Sequence, residues 1–196
     1  MFRVVDLVPG KNGQKNLTFI TGGARSGKSR LAERLALESG LPVHYLATMQ
    51  QWADDDEGGG RIQRHQERRP ADWTTHEVPF DLDKAVDTLP AEPAAVIIDC
   101  LSVYLSNLLL LDLDDRENPY VREPAIMEKI DLLLRSTAAR QEIDFYTVSN
   151  EVGWGIVPTS ILGRAYRDFL GLANQSLAEA ASQVFCVLSG LPVRLK

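Results

Sequence analysis

Gly22-Gly23-Ala24-Arg25-Ser26-Gly27-Lys28-Ser29 has the residue types and spacing of a polyphosphate cradle. It fits G-x-x-x-x-G-K-[ST] throughout. Glycines at both ends let the chain curl until successive N–H groups point inward at phosphate oxygens. A helix beginning at Lys28 would add its partial positive end at the same place. Lys28 would neutralise the β- and γ-phosphates of GTP or ATP, and Ser29 would offer a hydroxyl oxygen to Mg²⁺. The remaining loop positions, Gly23, Ala24, Arg25 and Ser26, would supply amides to the bound nucleotide.

Such a cradle needs an acidic partner for the metal. Val96-Ile97-Ile98-Asp99 puts a carboxylate at the end of an apolar strand, the usual geometry for that role. The other reading of Asp99 is a helix cap. Glu151 is a second carboxylate that could share the metal.

There are three histidines. His44 stands within an apolar strand and His76 within TTHEV, so both read as structural. His65 differs, standing amid Arg61, Arg64, Arg68 and Arg69. Positive neighbours weaken an imidazole's hold on its proton, and the neutral ring is the nucleophilic form. The same arginines could bind phosphates. By composition alone, a solvated helix face explains the arginines equally well, and a surface histidine is the better reading of His65.

The elements that must position these groups alternate. Leu17–Thr21, Val43–Ala47, Ala94–Ile98, Ile143–Ser149 and Val184–Leu188 are short apolar runs that read as strands, with a further short one at 191–195. Helical spacing follows Lys28, stops at Gly40, and recurs over 101–111, 125–140 and 160–181. A short helix is expected to start near Arg61, after Gly58-Gly59-Gly60. Residues 112–124 read as a loop. Alternation of this kind predicts an α/β fold, a mostly parallel sheet with helices on both faces, whose ligands sit beyond the carboxyl ends of the strands. Residues 1–16 are turn-rich and read as an N-terminal extension to a single domain over 17–196.

Composition narrows the function class. The chain has 196 residues, 44% hydrophobic and 24% charged, ordinary values for one globular domain. A net charge of −6 and a pI near 5.1 leave no chain-wide basic footprint, so a nucleic-acid partner is not expected. Cys100 and Cys186 lie in apolar runs without metal-ligand spacing and read as buried free thiols, which suits a reducing compartment. No apolar run is long enough to span a bilayer, and the first residues lack a signal-peptide core, so the cytoplasm is expected.

TGGARSGKSRLAE, YLAT, RIQRHQERRPADW, IDCLSVYLSNLL, VSNEVGWGIVP, RDFLGLANQ and LSGLPVRLK, in that order, resemble the bifunctional adenosylcobinamide kinase / adenosylcobinamide-phosphate guanylyltransferases of cobalamin biosynthesis. The resemblance runs from Leu17 to Lys196. It implies a RecA-like P-loop fold, a homotrimer, and two reactions. ATP or GTP phosphorylates the hydroxyl of the aminopropanol arm of adenosylcobinamide. GMP from GTP is then joined to that phosphate through a guanylylated histidine, which falls here on His65. Arg61 and Glu77 are the further nucleotide-contacting positions under this reading. The three glycines before His65 depart from the family pattern. Each disfavours helix by about 1 kcal/mol relative to alanine, so a looser histidine arm is expected without nucleotide. The competing reading of the same P-loop and Asp99 is a RecA-like ATPase acting on DNA or a protein partner, which the acidic balance and short length disfavour.

Overall fold

The computed structural model describes residues 14–49, 70–112, 114 and 118–196. The expected helix near Arg61, and Arg61, Arg64, His65, Arg68 and Arg69 themselves, lie outside the described residues.

The strands are β1 (Gln14–Thr21), β2 (Val43–Ala47), β3 (Thr74–Glu77), β4 (Ala94–Asp99), β5 (Ile143–Val148), β6 (Ala181–Leu188) and β7 (Leu191–Arg194). They form one sheet in the order β3-β2-β4-β5-β1-β6-β7. Every neighbouring pair is parallel except β6 and β7, an antiparallel hairpin at one edge. The helices are α1 (Lys28–Glu38), α2 (Leu82–Asp87), α3 (Leu101–Leu110), α4 (Glu123–Ala139) and α5 (Ile161–Ala180).

Strand alternation sorts the core into two layers. Val96 and Ile98 of β4 join Phe19, Phe145 and the apolar sides of α2, α3, α4 and α5. Ala95 and Ile97, from the opposite face of β4, join Ile20, Tyr45 and Leu31, Ala32 and Ala36 of α1. Phe19, Tyr45, Tyr104, Phe145 and Phe169 are fully buried. A large side chain of this kind contributes about 1.5–3 kcal/mol when removed from water.

Several boundaries differ from the sequence reading. β1 starts at Gln14 rather than Leu17, because Asn16 is buried and its Nδ2 donates to the carbonyls of Arg140 and Ile143, each at 2.9 Å. The stretch expected as a loop over 112–124 contains a 3₁₀ turn, Pro119–Arg122, and the first residues of α4. Proline is at home in the first turn of a helix, where its missing N–H has no partner to lose. β6 begins at Ala181, directly after α5, rather than at Val184. α2 was not expected at all. It has only six residues, too few for a period to show, and its support is tertiary. Lys129 of α4 pairs with Asp81 at 2.9 Å, and Arg140 donates to the Val86 carbonyl at 2.8 Å and the Leu89 carbonyl at 3.0 Å.

Candidate active site

The carboxyl ends of the parallel strands line up. Ala47 is in register with Glu77 and Asp99, Asp99 with Val148, Ile20 with Val148, and Thr21 with Cys186. The cradle residues Gly22, Gly23, Ala24, Arg25, Ser26 and Gly27 therefore open onto the same edge as Asp99 and Glu151.

Backbone forces decide the shape of the cradle. Gly22 has φ +148° and Gly27 has φ +101°. A Cβ on Gly22 would lie 2.4 Å from the Val187 carbonyl, which no side chain tolerates. Arg25, exposed, takes a left-handed conformation at φ 56°. The Gly190 N–H donates to the Ser26 carbonyl at 2.8 Å, and the Glu151 N–H donates to the Gly22 carbonyl at 2.9 Å. The cradle is thus held from the β6–β7 turn on one side and from the loop after β5 on the other. This gives the closing LSGLPVRLK segment a physical role that local pattern did not reveal.

Lys28 is buried, and its ammonium donates to the Gly23 carbonyl at 2.7 Å, across the mouth of the loop. Burial lowers its pKa from the usual lysine value. The Asp99 charge acts in the opposite direction. The Ser26 and Thr21 hydroxyl oxygens are buried without a hydrogen-bond partner among the described residues. Buried polar groups are seldom left unsatisfied, so these two are ready to meet a polar ligand. Ser29, in the first turn of α1, is half-buried.

Asp99 ends β4 as expected and accepts a hydrogen bond from the Tyr45 hydroxyl at 2.5 Å through Oδ2. It does not cap α3 with its side chain; Cys100 stands at the N-cap. Thr48 stitches β2 to this turn. Its Oγ1 accepts from the Cys100 N–H at 2.9 Å and donates to the Cys100 carbonyl at 2.8 Å. Cys100 is only half-buried, against the expectation of a fully buried thiol, while Cys186 is buried as expected. Burial first, then the Asp99 charge, pushes the Cys100 thiol up to about 11, so it stays protonated.

Behind the edge lies a polar network that the sequence did not disclose. Asn150 Nδ2 donates to Ser102 Oγ at 2.9 Å, Asn174 Nδ2 donates to the Asn150 carbonyl at 3.0 Å, and Ser149 Oγ donates to Asn174 Oδ1 at 2.7 Å. Asn174 is buried on α5, and a polar residue on the apolar face of a helix was its one visible signal. Asn107, in the apolar run of α3, spends its side chain on backbone groups. Its amide satisfies the Thr48 carbonyl at 2.8 Å and the Pro79 carbonyl at 3.0 Å.

Glu77 is exposed at the end of β3, the far edge strand. Four strand spacings separate β3 from β1, about 19 Å at the usual inter-strand distance, so Glu77 is not gathered with Lys28. His44 and His76 are structural neighbours: their rings stack, and Nδ1 of His44 lies 3.0 Å from Nε2 of His76. Burial, then His76, lowers the His44 pKa. Trp73 packs against Tyr45, whereas Trp154 is 72% exposed.

The cradle, the strand-end Asp99 and the mostly parallel sheet with helices on both faces define a RecA-like P-loop nucleotide enzyme. A solved structure from Pyrococcus horikoshii OT3 shares this fold, with a TM-score of 0.53 and 8% identity, covering 94% of this chain and 88% of that one. The profile of the family described as "Cobinamide kinase / cobinamide phosphate guanyltransferase" matches residues 18–195, and the chain belongs to that family. It is 45% identical over 177 residues to the bifunctional adenosylcobalamin biosynthesis protein CobP of Pseudomonas aeruginosa, covering 90% of this chain and 95% of that one. It is 40% identical over 184 residues to the bifunctional adenosylcobalamin biosynthesis protein CobU of Salmonella typhimurium and 41% identical over 186 residues to that of Escherichia coli. Those alignments each cover 92% of this chain and 99% of the relative.

Proposed function

We propose that this protein phosphorylates the aminopropanol hydroxyl of adenosylcobinamide with ATP or GTP, and then joins GMP from GTP to the resulting phosphate. The observation that carries the reading is the preformed cradle, with Lys28 across its mouth and Asp99 at the end of β4, two strands from β1 on the same edge, in a chain of this family.

Gly22 to Ser29 bind the triphosphate, and Lys28 leaves the Gly23 carbonyl to contact the phosphates. Ser29 and Asp99 are the residues that would hold Mg²⁺; a hydroxyl and a carboxylate are the hard oxygen donors this ion takes. When bound, the ion would neutralise charge on the phosphates in both transfers. Neutral His65 attacks the α-phosphorus of GTP, pyrophosphate leaves, and the histidine passes GMP to the phosphate of the acceptor. Arg61 and Glu77 serve the nucleotide in this scheme.

GTP labelled at the α-phosphate tests it, with Mg²⁺ and no corrinoid. Protein-bound label that is stable in alkali, labile in acid and missing from His65→Ala is expected. A wild-type protein that binds GTP and takes no label would overturn the histidine step.

The same reading makes the protein a cytoplasmic homotrimer. Among the described residues no helix is long and apolar enough to cross a membrane. Leu191 and Val193, on one side of edge strand β7, are exposed together with Leu195, an apolar row suited to a subunit contact. Light scattering should return three times the chain mass; the mass of a single chain would rule the trimer out.

A further inference from the structure

Three carboxylates stand at or just past strand ends on the site edge: Glu77 and Asp99 as the last residues of β3 and β4, and Glu151 three residues beyond β5. Glu77 is remote from the cradle, and Asp99 has Tyr45 on one oxygen and is the carboxylate that would hold Mg²⁺. Glu151 has a different address. β5 lies between β1, which runs into the cradle, and β4, which ends in Asp99. The residues just past β5 therefore leave the sheet alongside the phosphate loop, and, after burial, the nearby Glu151 charge raises the pKa of the Cys186 thiol on β6. The Glu151 N–H is bonded to the Gly22 carbonyl at 2.9 Å, which fixes the residue against the first glycine of the cradle. Its Oε1 accepts the Gly153 N–H at 2.7 Å, holding the carboxylate within its own loop, and among the described residues Oε2 has no partner. Of the attacking groups in the two transfers, one needs a base. Neutral imidazole attacks phosphorus through a lone pair, with no proton on the attacking nitrogen. A phosphate monoester attacks as an oxyanion. The hydroxyl of adenosylcobinamide alone arrives carrying a proton that has to leave.

We propose that Glu151 is the general base of the phosphoryl-transfer step, an inference that rests on the two-reaction reading above. The acceptor's hydroxyl oxygen bonds to the γ-phosphorus as the bond from that phosphorus to the bridging oxygen breaks. The electron pair leaves with the nucleoside diphosphate, and the hydroxyl proton passes to Oε2 of Glu151 and from there to water.

Glu151→Gln is the informative variant, because the amide keeps an acceptor for the Gly153 N–H and cannot take the proton. In the full-length protein, kcat for phosphoryl transfer from γ-labelled GTP to adenosylcobinamide should fall by about 100-fold or more, the usual contribution of a positioned base. The KM for GTP, the half-saturating Mg²⁺ concentration, and GMP transfer to separately supplied adenosylcobinamide phosphate should not change. Glu151→Asp should recover part of the loss. His65→Ala should show the reverse pattern, with phosphoryl transfer kept and GMP transfer lost. Unchanged phosphoryl transfer in Glu151→Gln, an equal loss in both reactions, or a raised Mg²⁺ requirement would each overturn the assignment, the last by making Glu151 a metal partner. Wild-type protein that makes neither product would overturn the two-reaction reading itself, and the base with it.

Discussion

The two ends of the site edge are held in different ways. At the cradle end the contacts are backbone to backbone: Gly190 to Ser26, Glu151 to Gly22, and the Val187 carbonyl against the bare Cα of Gly22. At the β2–β3 end the contacts run through side chains: Asn107 to the Thr48 and Pro79 carbonyls, Thr48 to both backbone groups of Cys100, and the His44–His76 pair. The division follows the ligand. Triphosphate oxygens are met by N–H groups that every residue carries, so the chain needs the right path and little else. Bases, sugars and acceptors differ from one another, and telling them apart takes side chains.

The largest effect is expected where the backbone packing is broken. Gly22→Ala should lower the unfolding free energy by about 3 kcal/mol, because the methyl meets the Val187 carbonyl and the residue is held at φ +148°. GTP binding should be lost with it. Gly171→Ala is the control: its Cβ would meet nothing within 4 Å on α5, and alanine in a helix should stabilise by up to about 1 kcal/mol. Urea unfolding of the two variants beside wild type measures the contrast, and equal small effects would mean the cradle is not held from β6. A smaller change is expected at the other end. Asn107→Ala leaves two carbonyls without their donor and should cost about 1–3 kcal/mol. It should leave GTP affinity within about threefold, since Asn107 touches no cradle residue in its two bonds. A large loss of GTP affinity would mean that the two ends are mechanically one unit.

Much of this was legible beforehand for a physical reason. Lys28 opens α1, Asp99 ends β4, and the strands over 43–47 and 143–148 match the apolar runs, because a buried strand and an amphipathic helix each impose a period on their own residues. α2 could not be read, since its six residues owe their helix to Lys129 and Arg140, which arrive from α4 and just beyond it. Asn16 and Asn174 were missed likewise, their partners lying far along the chain.

By itself, the sequence determined the phosphate cradle, the carboxylate at the end of an apolar strand, the alternation of strands with helices, and the family. Each of these is a local pattern, written in residues next to or a few places from one another. The tertiary structure alone decided that β5 separates β1 from β4, that the Gly190 turn braces Ser26, and that Glu151 stands against Gly22 while Glu77 stands far off. Those are questions of which strand lies beside which. Parallel strands are joined by crossovers that can run to either side of the sheet, so their order is settled by the packing of whole layers and leaves no mark on the residues of any one strand.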